Sequence, residues 1–240
     1  MLLLKTKLIK DLDPNIKSSW NDSLFITFDI DWAHDSVIDY CHDYFSKRNL
    51  KTTWYTTHFS SKVQELSCDS NIEIGIHPNF NDLLYSDKAA LDSVGIINDL
   101  LDLFPESSTV RSHSLTMSER LLETFASLKL FRISNLFLPF DRFSKASPFN
   151  LWHDTVMIPH CYQDNISLKM SHDLVELDTN TSGLKVLLIH PIHFFLNTPS
   201  LEYYESCRPY FKDPKKLKEK RFKGNGIFSR VDLFLKYLYE

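Results

Sequence analysis

Leu24-Phe25-Ile26-Thr27-Phe28-Asp29-Ile30-Asp31-Trp32 is an apolar run that ends in two carboxylates one residue apart. Side chains alternate faces along a strand, so a strand over Leu24 to Phe28 projects Asp29 and Asp31 to the same side at its end. Like charges held that close are costly unless a cation or a shared proton offsets them. Two more segments are apolar runs closing on histidine: Ile72-Glu73-Ile74-Gly75-Ile76-His77 and Val186-Leu187-Leu188-Ile189-His190. Three strand ends that deliver metal-ligating or proton-transferring groups point to one active site.

The intervening segments alternate helix and strand character. Ser36 to Arg48 places Val37, Tyr40, Cys41, Tyr44 and Phe45 at helical spacing, and Lys51 to Thr57 is rich in strand formers. A helix is expected over Asp87 to Phe104, stopped by Pro105, then a short strand at Thr109 to Arg111 and a helix from Ser118 with Leu121, Leu122 and Phe125 on its apolar face. Phe131 to Ser134 reads as a strand and Asn135 to about Asp164 as irregular. Late strands are expected at Leu174 to Leu177 and Leu184 to Ile189, and an amphipathic helix over Gly226 to Tyr239. Such alternation implies a mostly parallel α/β sheet covered by helices, with ligands at the carboxyl ends of its strands.

Bulk properties narrow the function. The 240 residues, 43% hydrophobic, suit one domain with one sizeable core. Lys plus Arg number 27 against 31 Asp plus Glu, a net charge of −4 that argues against a nucleic-acid partner; the basic run Lys212 to Lys223 reads as a solvated face. Cys41, Cys68, Cys161 and Cys207 show no paired spacing, so neither a zinc knuckle nor a disulfide framework is indicated and a reducing compartment is expected. Met1 to Leu4, followed at once by Lys5, is too short an apolar stretch for a signal-peptide core or a membrane span, so a cytoplasmic location is expected. No Gly-x-Ser-x-Gly elbow, phosphate loop or dinucleotide fingerprint occurs.

Asp oxygen and His nitrogen suit zinc first, with cobalt, nickel or manganese as other candidates, and a catalytic site typically keeps three protein ligands. Asp31 and His77 form the leading pair. His113, in Arg111-Ser112-His113, is the preferred third ligand; Asn81, four residues after His77, is the alternative, although a neutral amide binds zinc weakly. Asp29 is then the proton acceptor and His190 the proton donor, with His193 three residues on binding substrate or tuning His190.

These segments resemble the motifs of the polysaccharide deacetylases (carbohydrate esterase family 4, the NodB-homology fold). Phe28-Asp29-Ile30-Asp31 matches the first motif, Glu73 to His77 the second, Arg111 the arginine of the third, Trp152-His153-Asp154 the fourth and Val186 to His190 the fifth. Phe-Asp-Ile-Asp-Trp-Ala, Gly-Ile-His-Pro-Asn-Phe, Arg-Ser-His-Ser and His-Pro-Ile-His together resemble the WbmS-like branch, over about residues 22 to 198. The resemblance implies a deformed (β/α) barrel, and the residues beyond it, about 199 to 240, are read as a helical extension of the same domain. It also implies metal-dependent removal of N- or O-acetyl groups from a carbohydrate in surface-polysaccharide biosynthesis; with no export signal read in the sequence, a nucleotide- or lipid-linked precursor is the expected substrate. By position, Asp29 becomes the base, Asp31 and His77 metal ligands, His190 the acid and Arg111 the residue that orients the base. Two departures stand out: Ile30 separates acids that are normally adjacent, and Asn81 replaces the usual second histidine.

Trp32 and Trp152 are candidate sugar-stacking walls, Asn81 and Asp154 further substrate-side candidates, and His34, His42, His58, His153, His160 and His172 read as structural. The competing functions are a sugar-binding or assembly protein that kept the barrel without a competent metal site, and a hydrolase of glycosidic bonds.

Overall fold

Every residue of Ser23–Asp29 is buried, because the strand it forms lies at the centre of a sheet covered on both faces. The computed structural model describes residues 4–85, 92–140, 145–170 and 173–239. The strands are β1 (Lys5–Thr6), β2 (Ser23–Asp29), β3 (Thr52–Thr56), β4 (Ile72–Ile76), β5 (Thr109–Val110), β6 (Arg132–Ile133), β7 (Phe149–Asn150), β8 (Val156–Met157), β9 (Tyr162–Gln163) and β10 (Lys185–Ile189). They run in the order β7-β8-β6-β5-β4-β3-β2-β10-β9, with β1 on the start of β2, and all pairs are parallel except β7 with β8. A bridge between Phe137 and His160 joins the run after β6 to the run before β9 and draws the sheet round on itself. The result is one domain built as a deformed (β/α) barrel.

Register decides what shares a rim. Asp29 pairs with Tyr55 and Ile189 with Phe28, while the His77 amide bonds to the Thr56 carbonyl and the Arg111 amide to the Ile76 carbonyl. Asp29, His77, Arg111 and His190 therefore stand at the same carboxyl end of the barrel. Period-two alternation sorts β2: Leu24, Ile26 and Phe28 join the outer core with Val37, Phe45 and Phe194, whereas Phe25 faces inward. Phe25 packs on Ile9, Leu12 and Trp20, so the N-terminal segment fills the amino end of the barrel and leaves the carboxyl end open. Gly75 is required inside, since a Cβ there would fall 2.5 Å from Thr109 Oγ1 and 2.7 Å from the Tyr55 ring.

Among the described residues ten α-helices accompany the strands: α1 (Asp35–Ser46), α2 (Ser61–Leu66), α3 (Asn81–Tyr85), α4 (Ser93–Leu103), α5 (Glu119–Ser127), α6 (Asp164–Met170), α7 (Pro191–Leu196), α8 (Leu201–Cys207), α9 (Pro214–Glu219) and α10 (Ile227–Tyr239). Their starts are legible: the side chains of Ser60, Asp92, Ser118 and Ser200 accept amide N–H groups of the first turns, and Pro191 opens α7. The start of the helix expected over Asp87 to Phe104 lies outside the described residues, as does His172. Among the described residues no helix is long and apolar enough to cross a membrane.

Two expectations are corrected. Leu174 to Leu177 is not a strand: Leu174–Glu176 is a 3₁₀ turn begun by Asp173, with Leu174 and Leu177 buried and Val175 exposed, a spacing of three rather than two. The stretch 135–164 is not wholly irregular either. It holds β7, β8 and β9, two residues each, too short to display any period.

Candidate active site

Asp29 is the last residue of β2, and its inward register points the carboxylate at Arg111, whose side chain is fully buried inside the barrel. Arg111 Nη1 donates to Asp29 Oδ1 at 2.8 Å and to Thr27 Oγ1 at 2.9 Å; Nε and Nη2 donate to Ser134, and the guanidinium lies over the Tyr55 ring at 4.4 Å. Burial alone would raise the Asp29 pKa, but Arg111, then His77 and His190, outweigh it and hold the carboxyl below its ordinary value. Asp29 is thus an anion with one oxygen anchored and the other, Oδ2, turned toward His77 Nε2 at 3.8 Å.

Past Asp29 the chain turns sharply. Ile30 remains in the outer core, and Asp31 takes φ +45°, a left-handed conformation that aspartate tolerates better than most residues. Thr57 donates to the Asp31 carbonyl and His58 Nδ1 lies 3.1 Å from it, so His58 helps hold this turn. The Asp31 carboxylate becomes the hub of the site: Oδ1 is 3.4 Å from His77 Nε2 and 3.2 Å from His113 Nδ1, and Oδ2 is 3.8 Å from His190 Nε2. Burial raises its pKa, but the His113 and His77 hydrogen bonds and the charge of His190 take it well below the carboxylate range.

Ligating atoms of Asp31, His77 and His113 lie within 4.8 Å of one another. His77 Nδ1 is engaged by the Arg111 carbonyl, which fixes the ring with Nε2 facing Asp31. One carboxylate oxygen and two imidazole nitrogens from separate strand ends are a donor set that suits zinc and its neighbours, so these three residues can hold a divalent cation. His113 is fixed by its amide bond to the Pro78 carbonyl and by Asn135, whose side chain bonds both the Ser112 amide and hydroxyl. Asn81 opens α3 with its amide bonded to Asn79, and among the described residues no hydrogen bond links its side chain to the cluster. His113, rather than Asn81, brings a second imidazole nitrogen to this cluster.

Asp164 escaped the sequence reading. At the start of α6 and fully buried, it accepts the His190 amide through Oδ2 and His190 Nδ1 through Oδ1, both at 2.6 Å. Burial lowers the His190 pKa, but Asp164, then Asp31 and Asp29, push it up to about 10, so His190 is cationic with Nε2–H facing Asp31. Tyr162-Gln163-Asp164 is itself a strand end in an acid, the signal that marked Asp29, but two strand residues were too few to reveal it.

His193 sits one turn beyond His190 on α7, with its ring 5.6 Å from that of His190 and 4.4 Å from that of Tyr204. Burial lowers it to about 4, so it is a neutral backing for His190 and is shielded from solvent. Trp32 stands at the mouth, 58% exposed, its ring edge-on to His113 at 5.2 Å. Beside it opens a cleft of about 330 Å³ whose far wall is Tyr204, Arg208 and Phe211, which finds a place for the segment after residue 199. Trp152 and Asp154 are not brought here. They form the turn before β8, at the amino end of the sheet, and Asp154 lines a groove with Leu12, Pro14 and Phe131. The antiparallel β7–β8 hairpin puts that turn at the opposite end of the barrel from Asp31.

The model of the WbmS-like polysaccharide deacetylase family matches residues 26–208. A crystal structure from Bordetella bronchiseptica, assigned as a polysaccharide deacetylase involved in O-antigen biosynthesis, superposes with a TM-score of 0.90 and 31% identity over 97% of this chain and 98% of that one. No curated protein is significantly similar. The fold, the strand-end acids and histidines and the family match over most of the chain agree: the chain belongs to the WbmS-like polysaccharide deacetylases.

Proposed function

We propose that the protein removes an N- or O-acetyl group from a sugar of a surface-polysaccharide precursor with the help of a divalent metal, zinc first among candidates. One observation carries this reading: a buried carboxylate held by Arg111 and an imidazolium held by Asp164 both adjoin the Asp31–His77–His113 donor set. A divalent cation held by those three residues supplies Lewis acidity, polarising an acyl carbonyl and making water acidic enough to attack near neutral pH. Asp29, anionic and anchored by Arg111, accepts the proton of the attacking water at Oδ2. His190 donates its Nε2 proton to the departing sugar nitrogen or oxygen, and Asp164 stabilises the imidazolium beforehand. Trp32 offers a face for a sugar ring. The solved relative's assignment to O-antigen biosynthesis favours a polysaccharide setting, and His113 beside Asp31 supports a site with three metal-ligating groups.

Metal analysis of the purified chain is expected to find about one divalent ion per chain, lost from Asp31→Ala and His77→Ala, weakened in His113→Ala and retained in Asn81→Ala. A metal-free chain after reconstitution would favour a binding module. Acetate release without reducing-sugar release from acetylated glycans separates deacetylation from glycosidic cleavage.

Asp164→Asn is expected to move the basic limb of the pH–rate profile down from about 10 toward the ordinary histidine value of about 6.5. It also removes stability with a definite sign. Because the folded-state pKa of His190 is raised, its contribution is complete below about 6.5 and disappears as pH rises through about 10. An unmoved basic limb would remove His190 from the role of acid.

A further inference from the structure

The cleft beside Asp31 is asymmetric in a way that removing an acetyl group does not require. Its walls are aromatic, Trp32 on one side and Tyr204 with Phe211 on the other, the latter two rings 5.2 Å apart. Among the described lining residues, Arg208 is the permanent cation. Arg208 starts the 3₁₀ turn Arg208–Tyr210 directly after α8, with its guanidinium 5.9 Å from the Tyr204 ring. It pairs with Glu205 at 2.9 Å, one turn back, and both side chains are more than half exposed. An ion pair that open is weak and readily exchanged for a better anion. Arg208 thus lines a cleft whose other end reaches the donor set, and guanidinium binds planar or tetrahedral oxyanions through two parallel hydrogen bonds.

Tyr204 ties this wall to the reaction. Its ring packs on His193, which packs on His190, so α8 is positioned by the same stack that backs the acid.

We infer that Trp32, Tyr204, Phe211 and Arg208 form a specificity subsite for an acetylated sugar that carries an oxyanion, with the ring against the aromatic walls and the anion on Arg208. This rests on the deacetylase reading and names its substrate class. The oxyanion can be the phosphate of a glycosyl diphosphate or the carboxylate of a uronic acid, chemistries that Arg208 meets in the same way.

The test is calorimetric titration of the full chain, as purified, with methyl N-acetylglucosaminide, uridine diphosphate N-acetylglucosamine and N-acetylglucosaminuronic acid. At least one anionic probe is expected to bind tenfold or more tightly than the neutral one, and which of them does so identifies the source. Arg208→Gln is expected to abolish that preference while changing neutral binding less than twofold, and Arg208→Lys to keep part of it. Glu205→Gln, which frees the guanidinium, is expected to tighten anionic binding. Any direct contact of phosphate with a bound cation is common to wild type and variants and cancels in the comparison. Equal affinity for all three probes, or a preference that survives Arg208→Gln, overturns the subsite. Arg208-dependent binding with no acetate released from any acetylated substrate overturns the deacetylase reading instead. Because Arg208 is exposed, these variants are expected to fold normally.

Discussion

Asp29→Asn is expected to lower acetate release by about 10²–10⁴-fold, the range typical of losing a general base. The amide keeps the shape of the side chain and one oxygen to accept Arg111 Nη1, now 2.8 Å from Oδ1, so the barrel interior is preserved. What it loses is the charge that makes Oδ2 a proton acceptor. The variant is expected to retain its metal, because Asp31, His77 and His113 are untouched. That combination, metal retained and rate lost, distinguishes a base from a ligand. Loss of metal from Asp29→Asn would make Asp29 a fourth ligand, and a rate within tenfold of wild type would place the base elsewhere.

Arg111→Met has the largest expected effect on stability. Arg111 is fully buried and satisfies Asp29, Thr27 and Ser134 while stacking on Tyr55. Methionine fills much of the volume but leaves the Asp29 carboxylate inside the barrel without its main counter-charge and hydrogen-bond donor. Breaking one side of such a pair costs about 3–5 kcal/mol, whatever the pair contributes relative to apolar replacements. For a chain of this size that corresponds to a fall of about 6–20 °C in Tm. The same change removes the largest influence holding the Asp29 pKa down, leaving burial opposed only by His77 and His190, so the carboxyl pKa rises and activity near neutral pH is expected to fall as well. Thermal unfolding of the two single variants and of Asp29→Asn/Arg111→Met gives the coupling; the double variant is expected to lose clearly less than the sum. Additive losses, or a Tm within about 2 °C of wild type for Arg111→Met, would mean that the pair does not act as a unit.

Much of this site could be read from the chain because its principal strands are long enough to carry a period. Seven residues of β2 and five each of β4 and β10 show which face Asp29, His77 and His190 occupy before any partner strand is known. The same logic failed where strands shrink to two residues, which is why Asp164 went unseen and why 135–164 looked irregular. Trp152-His153-Asp154 misled for a related reason. The triplet has suitable residue types, but a hairpin turn rather than a strand end carries it, and composition alone does not distinguish the two rims of a barrel.

The amino-acid sequence by itself determined the class of fold and the residue types that converge: apolar strands ending in carboxylates and imidazoles allow little other than a parallel sheet with polar groups at one rim. Tertiary structure alone decided the pairing. His113 rather than Asn81 stands beside Asp31 because β5 lies next to β4, and Asp164 meets His190 because β9 lies next to β10. Likewise, α8 and the turn after it become a wall of the cleft because Tyr204 packs on His193. Local periodicity tells a side chain which way to face. Which neighbour it finds there depends on strand order, a property of contacts between residues distant in the chain.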